Sequence, residues 1–214
     1  MKRLLVSVVL ASVFGIAMAG VREAKAGNAF EGRRIFTEYC LVCHGTLGDG
    51  KGPLAMALKK APANLTSNEI VAKSDRDLLM TIIGGKVHEE ELGMPRWSSV
   101  LVGTQTENVI AYVRYLQQTK IPLIGDPEQG RTLYANYCVL CHGAEGKGNG
   151  VMTNLLTIHP ADHTNSKHMD TLSNEQLVHT ISDGISGHYM PGWKSVLTAP
   201  EIDSLVGYIR LLSH

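Results

Sequence analysis

The chain has 214 residues, room for one large domain or two small ones. Twenty basic side chains balance twenty acidic ones, and no basic patch or stripe marks a nucleic-acid surface, so nucleic acid is excluded as a partner. Beyond residue 26 no apolar stretch is long enough to cross a bilayer, and the body of the protein is expected to be soluble.

The chain opens on Met1-Lys2-Arg3 and continues into an uncharged run from Leu4 to Ala17. Residues 1–26 read as a secretory signal peptide, cleaved after Ala19 or Ala26, where Ala17 and Ala19, or Ala24 and Ala26, supply the small residues such sites need. The run is shorter than the roughly 20 residues that span hydrocarbon. A cleaved leader predicts a periplasmic protein, with membrane association through an uncleaved N-terminus as the alternative.

Residues 27–118 and 126–214 form a repeat. Gly32-Arg33 through Cys40-Leu41-Val42-Cys43-His44-Gly45 matches Gly130-Arg131 through Cys138-Val139-Leu140-Cys141-His142-Gly143 at an offset of 98. Gly48, Gly50 and Gly52 recur as Gly146, Gly148 and Gly150, and Pro62-Ala63 as Pro160-Ala161. Leu78, Thr81, Ile82 and Gly85 recur as Leu177, Thr180, Ile181 and Gly184 at an offset of 99, which becomes 96 at Met94-Pro95-Arg96-Trp97, matching Met190-Pro191-Gly192-Trp193, so the halves differ by three residues in the loop just before each methionine. Residues 119–125, with Pro122 and Gly125, read as the linker. The second half carries nine acidic and five basic side chains, a formal −4, whereas the first half is balanced at ten of each.

Helical periodicity runs through Phe36, Tyr39, Cys40 and Cys43, through Val109, Tyr112, Val113 and Leu116, and through Ile202, Leu205, Val206 and Ile209. Thr104 with Glu107, Ser173 with Gln176 and Thr198 with Glu201 have capping-box spacing. No stretch alternates with period two for long enough to form a sheet, and the predicted fold class is all-α.

Four cysteines in an exported chain suggest two disulfides, and with histidine they also suggest zinc. The residue after each pair argues otherwise. Positions i, i+3 and i+4 of a helix share a face, so two thiols can meet the two vinyl groups of a haem while the adjacent imidazole reaches the iron. Cys40 and Cys43 with His44, and Cys138 and Cys141 with His142, therefore read as two covalent haem c attachment sites.

An attachment motif near the start, a methionine in a late loop and a closing helix make each half resemble a class I cytochrome c domain, over essentially all of the chain beyond residue 26. The tandem form resembles periplasmic diheme cytochromes and also the two-haem subunits of some respiratory oxidases. The resemblance implies that His44 and Met94 ligate one iron and His142 and Met190 the other. It further implies that the Pro62 and Pro160 carbonyls accept a hydrogen bond from the ligating imidazoles, and that Phe36 and Tyr134 pack against Tyr112 and Tyr208.

His88 and His188 lie in the ligand-bearing loops and are the alternatives to methionine. Met56, Met80, Met152 and Met169 lack counterparts and read as core or loop side chains, and His159, His163, His168 and His179 read as solvated loop residues. With both axial positions of both irons filled, the chain is expected to be no enzyme but a diheme electron carrier between protein donors and acceptors. A haem-bearing subunit of a membrane oxidase, reductase or dehydrogenase is the alternative reading, and a diheme peroxidase, which needs an open iron, is the third.

Overall fold

The computed structural model describes residues 27–88, 91–119 and 121–214, with only the backbone described at 87, 88, 91 and 92. The signal-peptide reading of 1–26 lies outside the described residues. Each half starts on a helix that its own sequence caps. Asn28 Oδ1 accepts from the Glu31 amide at 3.0 Å to open α1 (Ala29–Ile35). This helix widens into a π-helical turn over Phe36–Cys40 before α2 (Leu41–His44). In the first half α3 (Asn68–Val71), α4 (Asp75–Gly84), a hairpin of β1 (Lys86–His88) and β2 (Glu91–Met94), and α5 (Gln105–Gln118) follow.

The second half repeats the plan as α6 (Pro127–Tyr137), α7 (Val139–His142), α8 (Ser166–Met169), α9 (Asn174–Asp183) and α10 (Ala199–Leu212). Asp126 caps α6, with Pro127 in the first turn, where the missing amide costs no intrahelical bond.

The fold is all-α in class, with one addition. The three residues by which the first half is longer fall in the antiparallel hairpin that ends on Met94, pairing Lys86 with Met94 and His88 with Glu91. In the shorter second half the same place holds a single bridge between Ile185 and Met190. Strands of three and four residues are too short for alternation to announce them.

In both halves the first helix crosses the last. A Cβ at Gly130 would lie 1.9 Å from the Ser204 carbonyl oxygen, and one at Gly32 would lie 1.8 Å from that of Asn108, so only glycine allows this backbone approach. Around the crossings Phe36 meets Tyr112 edge-on at 5.3 Å and Tyr134 meets Tyr208 at 5.3 Å, the packing that the resemblance implied. Of the three expected capping boxes, those at Ser173 and Thr198 form. Thr104 makes no side-chain cap: its φ of −93° and ψ of 11° leave the extended region a capping residue needs. An unforeseen box forms instead at Ser74 with Asp77.

The aligned Arg114 and Arg210 each reach from the closing helix to the end of a short helix. Arg210, 1% exposed, donates to the Met169 carbonyl at 2.6 Å, the Leu172 carbonyl at 2.5 Å and Asn174 Oδ1 at 3.1 Å. Truncation strands those acceptors in the core, so Arg210→Ala should lower stability by about 3 kcal/mol, read as a lower urea midpoint of the holoprotein. Arg114 makes a similar clasp on the Val71 and Lys73 carbonyls with its side chain 20% exposed, and Arg114→Ala should cost less.

The halves share one buried core. Phe30 of α1 packs edge-on against Tyr208 of α10 at 5.2 Å beneath the Arg131 guanidinium, and Arg34 pairs with Glu128 at 3.3 Å. The connecting segment is held too, because Asn174 Nδ2 donates to the Pro122 carbonyl and the Asp126 amide to Ser204 Oγ.

Candidate haem sites

In the first half a largely apolar cavity of about 430 Å³ is lined by Cys40 and Cys43, His44, Met94, Trp97 and Val113. The structure thus brings all four candidate residues of that half to one hollow. Helix α2 supplies Cys43 and His44, the π-helical turn supplies Cys40 and strand β2 supplies Met94. In the second half Cys141 and His142 lie on α7 with Cys138 at its start, while Cys138 and Met190 pack on the shared core.

Each imidazole is oriented by a backbone carbonyl. His44 Nδ1 lies 3.0 Å from the Ala63 oxygen and His142 Nδ1 lies 3.1 Å from that of Ala161. A carbonyl can only accept, so Nδ1 carries the proton and Nε2 is left as a lone-pair donor for a metal. Burial lowers both histidine pKa values and favours this neutral form.

These acceptors correct the expectation placed on Pro62 and Pro160, because the bond goes one residue further along the chain. The proline carbonyls face the glycine loop instead: a Cβ at Gly148, whose φ is +68°, would lie 2.5 Å from the Pro160 oxygen, and Gly50 stands likewise against Pro62. With the proline oxygen turned to the loop, the next carbonyl is the one that faces the imidazole.

No disulfide joins any of the four cysteines, which argues against the disulfide reading. Burial pushes Cys40 and Cys138 up to about 12. The apolar surroundings that hold these thiols protonated are also those into which a haem edge packs.

Tryptophan anchors each methionine loop. The Trp97 amide donates to the Ile82 carbonyl at 3.2 Å and the Trp193 amide to that of Ile181 at 3.0 Å, while Tyr39 and Tyr137 pack on the two indoles at 5.5 and 5.3 Å. His188 is exposed, and the side chain of His88 lies outside the described residues. Met56 and Met80 are exposed and Met169 is buried in the core, as their lack of counterparts suggested.

His159, His168 and His179 are exposed, as expected, but His163 is not a solvated loop residue. Its ring stacks on that of His142 at a centroid distance of 4.2 Å and an angle of 17°, and its Nδ1 lies 3.1 Å from the Tyr134 hydroxyl. Burial, helped by the neighbouring His142, pushes its pKa down to about 3. The signal was present as a paired mismatch in the repeat, since the aligned residues of the first half are Leu65 and Phe36.

Two helical halves, each with paired thiols and an oriented imidazole on its opening helical segments and a methionine in an anchored loop, define a two-haem c-type cytochrome. The family described as "Cytochrome C oxidase, cbb3-type, subunit III" matches residues 27–113 and again 125–209, and the chain belongs to it. Among relatives, the FixP subunit of the cbb3-type cytochrome c oxidase of Bradyrhizobium diazoefficiens is 27% identical over 194 residues, covering 85% of this chain and 60% of FixP. The CcoP subunit of the Azospirillum sp. cbb3-type oxidase is 25% identical over 209 residues, covering 94% of this chain and 64% of CcoP. Cytochrome c6 of Rippkaea orientalis is 34% identical over 113 residues, covering 53% of this chain and 92% of that protein. The chain is accordingly an electron-transfer protein of the cytochrome c family with two covalent haem c groups.

The residues present fit those groups: paired thiols, an imidazole with Nε2 free, a thioether and, in the first half, an apolar hollow are the donors and surroundings that haem c takes. When bound, haem supplies a one-electron couple at its iron.

Proposed function

We propose that this chain is the two-haem electron-carrying subunit of a membrane-bound, cbb3-like terminal oxidase, receiving electrons from a redox protein and delivering them to the oxidase core. The observation that carries this reading is the match of one oxidase-subunit family to both halves in succession. In this reading residues 1–26 direct export to the periplasm, and 27–118 and 126–214 are the two haem domains joined by 119–125. Cys40 and Cys43 hold one haem and Cys138 and Cys141 the other, with His44 and Met94, and His142 and Met190, on the two irons.

The chain's own residues do no chemistry on a substrate. His44 and Met94, and His142 and Met190, would hold the two irons, the Ala63 and Ala161 carbonyls fix the imidazoles, and in the first half the apolar lining would keep water from the bound group.

The test is solubilisation of native membranes in mild detergent and recovery of a tagged chain. Co-recovery with an oxygen-reducing core in near-equal amount is the expected result. Recovery of the chain alone from the periplasmic fraction, with no loss of oxygen reduction on its deletion, overturns it in favour of a free diheme shuttle. The likeness to cytochrome c6 favours that second reading.

A further inference from the structure

We propose that Tyr134 and His163 make the second haem the lower-potential centre, so that electrons enter through the second half and leave through the first. The inference rests on His142 being the iron ligand of that haem.

The two halves offer an internal comparison. Leu65 and His163 occupy the same place, each donating its amide at 2.7 Å to the equivalent glycine carbonyl, of Gly48 and Gly146. At that place the first half has hydrocarbon, with Leu65 and Phe36 lining the same cavity as His44. The second half has an imidazole lying face to face with His142 at 4.2 Å, bonded to a phenol that is itself 1% exposed.

Oxidation adds one positive charge to the iron and its ligands, and part of that charge spreads onto the ligating imidazole. A polar ring whose π face covers the imidazole, held in place by its bond to the Tyr134 hydroxyl, stabilises that charge better than leucine does. The ferric form gains and the potential falls. The formal −4 of the second half acts in the same direction. Tyr134 and His163 touch neither electron donor nor acceptor: they are positioning residues that act through His142.

The test uses the holoprotein with both haems and spectroelectrochemistry at one fixed pH. In the double variant Tyr134→Phe with His163→Leu, which copies the first half, the lower of the two couples should rise by about tenfold in its reduction equilibrium constant, or about 59 mV for one electron. The upper couple should stay. His163→Phe, which keeps an aromatic ring but loses the polar nitrogens, should raise the lower couple as well, an effect that a purely packing role would not give. The reciprocal change, Leu65→His with Phe36→Tyr, should lower the upper couple and serves if the first set does not fold.

An intact low-spin spectrum with an unmoved lower couple, or movement of the upper couple in the first double variant, overturns the proposal. His142→Gly separates this from the ligation reading beneath it: if the second haem keeps its low-spin spectrum in that variant, the assignment of His142 is what fails.

Discussion

Replacing Cys138 and Cys141 together by serine should leave a chain with one haem in place of two, halving the haem absorbance per protein and removing one haem from the mass of the mature chain. Serine nearly matches cysteine in size, but its hydroxyl does not add to a vinyl group, so the substitution deletes the covalent tether and little else. The structural consequence should be larger than the loss of two sulfur atoms. A half of about 90 residues buries a modest core by itself and depends on a bound group to complete it. His142, which a haem would hold, is stacked on His163, and through Tyr134 and Tyr208 the contact reaches Phe30 of the first half. Helical circular dichroism should therefore fall by more than the short α7 accounts for, and the urea midpoint of the remaining half should fall too. Two haems retained on the serine variant would sink the attachment assignment.

The repeat made most of this architecture legible in advance. Cysteine and histidine at positions i, i+3 and i+4 need only helical geometry to be interpreted, and Met94 and Met190 were singled out because their proline and tryptophan context recurs. The same comparison placed the three-residue difference in the loop before the methionines, where the hairpin lies. What the sequence hid depends on tertiary placement. Whether the proline carbonyl or its neighbour faces the imidazole turns on the glycine loop behind it. Thr104 has the right spacing for a cap but the wrong backbone angles. His163 reads as solvated because it lacks paired helical spacing and a histidine counterpart in the first half, whereas its amide bond to the Gly146 carbonyl, the place that half-buried Leu65 takes in the other half, and its stacking on His142 show otherwise.

Met94→Ala should convert a closed iron into an open one. With Met94 and Met190 as the proposed ligands, a thioether would fill the sixth position of each iron, and the reduced native chain is expected to bind no carbon monoxide. Alanine leaves nothing long enough to reach, while the loop itself is held by other means: the Trp97 amide on the Ile82 carbonyl and the Tyr39 ring on the indole. The fold should survive and one equivalent of carbon monoxide should bind per chain. The methionine-to-iron absorption band should drop to half, and the couple of that haem should fall by more than tenfold in equilibrium constant, since the thioether favours reduced iron. Met190→Ala should do the same at the other iron, with Trp193 and Tyr137 holding the loop, and the double variant should bind two equivalents. His188 is exposed on the turn before Met190. An unchanged spectrum in Met190→Ala, lost only when His188 is also removed, would transfer the ligand assignment to that histidine.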